Sequence, residues 1–322
     1  MKSPPSDLLY RPNRAGFAQL HSAIEPYDAG WIDVGDGHRV YWEVSGNPQG
    51  EAALLVHGGP GGAIRPRDRR FFDPGRYRII AFDQRGCGRS MPQGELHANT
   101  TAHLIDDMER LRIHLGISQW LLWGGSWGAT LALAYAQTHP ARVRRLVLRG
   151  VFLARRNELH WLYQGGAAAM HPQAWQAFIQ PLAASQRHDV LGAYAAVLTG
   201  AKSDAALAMA QSWCAWEDAL MGGAPGTLED GQAWTMARLS AHYLAHGAFL
   251  EEGALIARAA CLKGVPGVIV QGRYDLVTPT ATAWALHQAW PESALYIVAG
   301  AGHASDEPGI TRILLESVDA DA

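Results

Sequence analysis

The chain has 322 residues, 48% of them hydrophobic and 18% charged, which excludes a disordered or fibrous protein and suits a globular enzyme. With 27 Lys and Arg against 30 Asp and Glu, the net charge of −3 offers no basic stripe or acidic tail for nucleic acid. The three cysteines, Cys87, Cys214 and Cys261, are too sparse for a disulfide framework, lack metal-ligand spacing and fit a reducing compartment.

Met1–Tyr10 is polar and Pro-containing, without the apolar stretch of a secretory leader, and no later run approaches membrane-spanning length. A cytoplasmic protein without membrane contact is expected. Gly30–Gly46 alternates apolar and polar residues around Gly35-Asp36-Gly37, the pattern of a β-hairpin. Apolar runs at Ala52–His57, Tyr77–Phe82, Trp120–Gly124 and Val143–Leu148 predict buried strands. Helical patterns lie among them, chiefly Thr101–Leu115 and Trp127–Gln137. The short cluster Arg65, Arg67, Arg69 and Arg70 reads as a solvated loop rather than a polyanion site.

Strands alternating with helices predict an α/β protein with a mostly parallel, doubly wound sheet. The character changes after Val151. From Phe152 to Ala260 the chain is rich in Ala, Trp, Leu and Gln, and helical stretches such as Ala205–Leu220 and Ala233–Ala245 dominate. The sheet pattern resumes at Pro266–Gln271 and Ala294–Val298, with a helix at Thr280–Ala289 between them. The expected organisation is a core of residues 1–151 and 261–322, interrupted by a helical cap over residues 152–260.

Gly124-Gly125-Ser126-Trp127-Gly128 is a G-x-S-x-G sequence directly after a strand and before a helix. A sharp turn there strains the serine and exposes its hydroxyl at a helix N-terminus; a chance Gly-Ser-Gly loop is the bland alternative. A serine hydroxyl needs a base, itself oriented by an acid. In the α/β-hydrolase fold these follow in the order Ser, Asp or Glu, His, at the ends of later strands. Asp275, in Gly272-Arg273-Tyr274-Asp275, and His303, in Gly300-Ala301-Gly302-His303, occupy such positions. One His among 14, or one Asp, would persuade little; the order and placement of all three persuade more. The oxyanion hole is expected from the backbone N–H of Trp127 and of Gly59, in the loop His57-Gly58-Gly59-Pro60-Gly61-Gly62. Without a G-x-x-x-x-G-K-[ST] sequence, phosphate binding by that loop is the weaker reading.

His57-Gly58-Gly59-Pro60-Gly61, Asp83-Gln84-Arg85-Gly86-Cys87-Gly88-Arg89-Ser90 and Gly124-Gly125-Ser126-Trp127-Gly128-Ala129-Thr130 together resemble the proline iminopeptidases. The match extends through Tyr135–Pro140 and the cap, from about Ile24 to Ile313. The resemblance implies a cofactor-free serine exopeptidase, with no metal, that removes N-terminal proline from small peptides. Trp213-Cys214-Ala215-Trp216-Glu217 resembles the family's W-x-x-W-E motif, whose glutamate is implied to bind the substrate's cationic nitrogen; a core helix with an exposed acid is the alternative from spacing alone. Arg149 and Phe152 match positions implied to line the pocket, and the proline ring is expected among Trp127, Phe152, Trp213 and Trp216.

One departure is visible. Where the family's A-R-I-E-x-H-Y pattern supplies a second acid, this chain has Ala237-Arg238-Leu239-Ser240-Ala241-His242-Tyr243. Ser240 brings no charge, so weaker anchoring of the amine is expected, with Glu251 or Glu252 as possible compensation. That departure keeps an esterase, lactonase or amidase of the same fold as the rival reading. A non-catalytic binding protein is a further rival, though no triad member is missing. Asp83 is expected to hold its loop rather than do chemistry.

Overall fold

In the computed structural model, which describes residues 8–12, 19–222 and 228–320, Asp36 and Gly37 both have positive φ, 55° and 79°. They close a two-residue turn between β2 (Asp28–Gly35) and β3 (His38–Gly46), the expected hairpin. The other strands are β1 (Leu8–Pro12), β4 (Glu51–Val56), β5 (Tyr77–Phe82), β6 (Trp120–Ser126), β7 (Val143–Val151), β8 (Gly267–Gly272) and β9 (Ser293–Ala299). They form one nine-stranded sheet in the order β1-β9-β8-β7-β6-β4-β5-β3-β2. Only β3 runs antiparallel to its neighbours β2 and β5; every other pairing is parallel. The sequence pattern did not predict β1, and Met1–Asp7 of the polar leading segment lie outside the described residues.

Parallel strands buried on both faces explain the continuous apolar runs. Leu54, Val56, Leu122, Leu146, Leu148 and Ile269 point into one core layer. Their neighbours Ala53, Leu55, Leu121, Val147 and Val270 point into the other. Helices α1 (Thr101–His114), α2 (Trp127–Thr138) and α9 (Thr280–Ala289) cover the first face, and α10 (Pro308–Asp319), which the pattern also missed, covers the second.

Between β7 and β8 the described residues form α3 (Arg156–Tyr163), α4 (Pro172–Ile179), α5 (Val190–Leu198), α6 (Asp204–Leu220), α7 (Asp230–Ala245) and α8 (Ala254–Ala257), with no strand. Ser203 caps α6 by accepting the Ala206 N–H, and Asp189 caps α5 by accepting that of Gly192. Met209, Trp213, Trp216 and Leu220 recur at helical spacing and are buried. Trp216 stacks on Phe178 at 5.6 Å and Trp213 on Tyr163 at 4.8 Å, each indole contributing on the order of 3 kcal/mol of apolar burial. Among the described residues no helix is long and apolar enough to cross a membrane.

One member of the arginine cluster, Arg69, departs from the expected solvated loop. Pro66–Phe71 is a short 3-10 helix in which Arg69 is buried and pairs with the equally buried Glu43. Arg65 pairs with Asp68 at 3.0 Å and Arg67 with Asp306 at 3.2 Å. Arg69 is thus withdrawn into an internal ion pair, while the Arg65 side chain stays 58% exposed and that of Arg67 38%.

Candidate active site

β6 ends at Ser126 and α2 begins at Trp127, so the serine is the hinge of a strand-to-helix turn. Its φ of 58° and ψ of −126° are unusual for a residue with a Cβ, at a cost of roughly 1–3 kcal/mol. Close backbone approach enforces the turn. A Cβ on Gly128 would lie 2.1 Å from the Val56 carbonyl oxygen, and one on Gly124 2.4 Å from that of Gly128. The Ser126 side chain makes no capping bond and faces a cavity of about 400 Å³. Gly59, with φ of 125°, lines the same cavity, and neighbouring Gly58 packs directly against Gly125 and Ser126. Trp127 opens α2, where a first-turn N–H lacks an intrahelical acceptor.

Asp275 follows β8 and His303 follows β9, both at the carboxyl edge of the sheet. His303 Nδ1–H donates to Asp275 Oδ2 at 2.7 Å, which leaves Nε2 as the ring's acceptor. The carboxylate also accepts from Val277 N (3.0 Å), Thr278 N (2.7 Å), Thr278 Oγ1 (2.8 Å) and Gln271 Nε2 (3.0 Å). Burial alone would push Asp275 up, but His303 and the Thr278 hydrogen bonds outweigh it and hold the carboxyl below its usual range. Burial pulls His303 down, and Asp275 only partly offsets that, so the imidazole is neutral and basic at neutral pH. Thr278 was not legible as a site residue, although a hydroxyl three positions after an Asx-type turn is a usable signal.

The far side of the cavity is built by the helices between β7 and β8. Phe152, Tyr163 and Glu217 line it there. Glu217 Oε1 accepts from Trp213 Nε1 at 2.8 Å and from the Tyr163 hydroxyl at 2.9 Å. Burial pushes this carboxyl up to about 7 despite both bonds, and no cation among the described residues faces it.

Residues 53–306 match the alpha/beta hydrolase fold family. A proline iminopeptidase from Xylella fastidiosa strain Temecula1 is 46% identical over 301 residues, covering 90% of this chain and 95% of that one. Another, from Arabidopsis thaliana, is 44% identical over 304 residues, covering 92% of this chain and 80% of its own length. The chain belongs to the proline iminopeptidase family. Among solved structures, a bromoperoxidase from Bacillus anthracis superposes with a TM-score of 0.62 at 16% identity, covering 90% of this chain and 98% of that one. VinJ gives 0.61 at 20%, covering 91% and 100%. At such identities these two establish the α/β-hydrolase fold alone.

For a proline iminopeptidase, the pocket walls differ from those expected. Of the four aromatics expected around the ring, only Phe152 lines the cavity; Trp127, Trp213 and Trp216 are fully buried behind it. Their indole N–H groups are committed to Gln84, Glu217 and the Leu162 carbonyl respectively, which draws the rings into the core. Leu162, Tyr163 and Met236 stand at the surface of the cavity instead.

Ser240 does not reach the cavity either. Its hydroxyl, fully buried, donates to the Pro60 carbonyl at 2.7 Å and ties α7 to the glycine-rich loop. It shares a helix face with Met236 and Leu244, which do line the cavity. Glu252 is engaged with Arg156 at the surface, where it accepts the backbone N–H at 3.2 Å. Arg149 lines the cavity beside Ser126, and its Nη1 donates to the His303 carbonyl. Asp83 accepts from Ile64 N and Arg89 N, so it fastens two loops. Cys87 is buried, and burial pushes its thiol well up, which leaves it unreactive.

Proposed function

We propose that this protein is a serine exopeptidase releasing N-terminal proline from small peptides, with Ser126, Asp275 and His303 as its triad. The observation that carries the reading is Glu217, an acid with no cationic partner among the described residues, which faces the same cavity as Ser126 and His303. A buried anion among apolar walls is costly unless a cation joins it. An N-terminal proline brings that cation on an apolar ring, which Phe152 and Leu162 would contact. Membership of the proline iminopeptidase family points the same way.

Ser126 Oγ attacks the prolyl carbonyl while His303 Nε2 takes its proton, and Asp275 steadies the resulting imidazolium. The backbone N–H groups of Gly59 and Trp127 receive the oxyanion. Collapse breaks the C–N bond, and His303 returns the proton to the leaving amine. Water, deprotonated by His303, then hydrolyses the prolyl ester. Residues 152–260 act as a cap domain on the core of residues 1–151 and 261–322, closing the pocket beyond the proline nitrogen. That closure limits cleavage to one residue.

Hydrolysis of prolyl-β-naphthylamide tests the reading, beside a Ser126→Ala control and the N-acetylated substrate. Turnover of the free imine alone, lost in the control, is expected. Equal turnover of the N-acetylated compound would overturn it.

A further inference from the structure

The cavity does not end at Ser126. Away from the cap it continues along Ile64, Arg65, Asp68, Trp123 and Arg149. Trp123 and Ile64 belong to the core layer on the sheet face opposite Phe152 and Leu162, so the nucleophile stands between two limbs. The cap limb carries the acid, Glu217. The other limb carries an excess of positive charge.

The arginines of this second limb are not equivalent. Arg65 is matched by Asp68 through two hydrogen bonds of 3.0 Å, and Arg67, outside the cavity lining, by Asp306. Among the described residues Arg149 has no ion-pair partner of its own; the carboxylate that attracts it most is Asp275, which is already committed to His303. It is 9% exposed, and its only hydrogen bond among the described residues runs from Nη1 to the His303 carbonyl. Its Nε is buried without an acceptor. A guanidinium cannot shed its proton to relieve such burial. Its position is also specific. Arg149 pairs in register with Gly125, the residue before the nucleophile, and a Cβ on Gly125 would lie 2.3 Å from Arg149 Nη2.

Acid on one side of the serine and unpaired guanidinium on the other make a fixed dipole across the bond to be cut. A zwitterionic short peptide carries the complementary one. Its carboxylate follows the scissile carbonyl by one or two residues, each spanning at most about 3.6 Å. Neighbouring strands lie about 4.8 Å apart, so a group over Gly125 is within that reach. We propose that Arg149 is a specificity-determining residue that takes the free C-terminal carboxylate of a short leaving fragment, making proline-headed di- and tripeptides the preferred substrates. The inference rests on the exopeptidase reading above, because it requires the proline to occupy the Glu217 limb.

Arg149 also holds the His303 loop, a positioning role that would affect every substrate alike. The experiment therefore compares substrates within each enzyme: Pro-Gly, its C-terminal amide, Pro-Gly-Gly-Gly and prolyl-β-naphthylamide. With the wild-type protein, kcat/KM for Pro-Gly should exceed that for its amide by about tenfold or more, chiefly through KM. The tetrapeptide should resemble the amide. In Arg149→Gln the dipeptide-to-amide ratio should fall to near one, while the amide and the arylamide keep their ratio to each other. A wild-type ratio near one overturns the proposal without need of any variant, and so does a tenfold ratio that survives Arg149→Gln. Turnover of the arylamide with no dipeptide preference would fell this inference alone. No turnover of any of the four would fell the exopeptidase reading with it.

Discussion

Trp213 and Glu217 stand one turn apart on α6, and the indole Nε1–H donates to Glu217 Oε1 at 2.8 Å. Tyr163 donates to that same oxygen from α3. Two donors on one oxygen fix the carboxylate plane and leave Oε2 as the atom available to a ligand. The tryptophan of the motif therefore aims the acid and is not itself a wall of the pocket.

Replacing Glu217 by Gln should lower kcat/KM for a prolyl arylamide about a hundredfold, mostly through KM, because a charge-assisted bond to the substrate nitrogen is lost. The same change should stabilise the protein at alkaline pH. The folded-state pKa of about 7 lies above the unfolded value of 4.5, so the folded protein holds a proton that the unfolded chain has released between those values. Wild-type stability accordingly falls as pH rises from 4.5 through 7, and Gln escapes that loss. Denaturant melts at pH 8 should show a gain of about 2 kcal/mol, and melts at pH 4 almost none.

The pH profile should separate the two groups. Free enzyme binds a cationic substrate only when Glu217 is ionised, so kcat/KM should fall on the acid side near pH 7. The bound cation then keeps Glu217 ionised, and the acid limb of kcat should report His303, which burial holds below 6.5. In Glu217→Gln only the lower limb should remain. An unchanged limb near 7 in that variant would assign it to another group.

Thr278→Val removes one hydroxyl donor from Asp275 while leaving the backbone donor of the same residue in place. We expect kcat to fall about tenfold with KM unchanged, the worth of one buried hydrogen bond to a charged group. Steady-state kinetics on an arylamide measure it. A change confined to KM would place Thr278 in binding instead.

Ser240→Glu reverses the family departure at a cost. Losing the bond to Pro60 should destabilise the protein by about 1 kcal/mol, as Ser240→Ala also should. The longer acid, on the helix face of Met236 and Leu244, should reach the cavity and lower KM for a prolyl arylamide several-fold. An unchanged KM would show that Ser240 does not set the affinity for the amine.

Much of the fold was legible because buried parallel strands leave long apolar runs and because Gly-x-Ser-x-Gly has few other uses between a strand and a helix. That Asp275 and His303 come together, hydrogen-bonded at 2.7 Å, was legible from order and position. What escaped was what depends on distant packing. Whether Trp216 faces a ligand or the core is decided by Phe178 and the Leu162 carbonyl, which no local spacing encodes. Tyr163 reaches Glu217 from 54 residues away, and Ser240 reaches Pro60 across 180. Arg69 misled for the same reason, since its buried partner Glu43 is remote in sequence. β1 was missed because a five-residue edge strand carries little signal; α10, by contrast, does carry a helical spacing at Ile310, Ile313, Leu314 and Val318.

β7 ends at Val151, and the strand that completes its pairing, β8, does not begin until Gly267. At roughly 5–20 residues per second, a ribosome takes on the order of ten seconds to supply the missing neighbour. Throughout that interval β7 presents an apolar edge, a ready template for another chain. The packed pair α6 and α7 is made of local contacts and is free to form meanwhile. Ser126 is synthesised before the gap and Asp275 and His303 after it. The chain's most exposed interval is thus the one in which Ser126 has emerged and the strands that close its sheet have not.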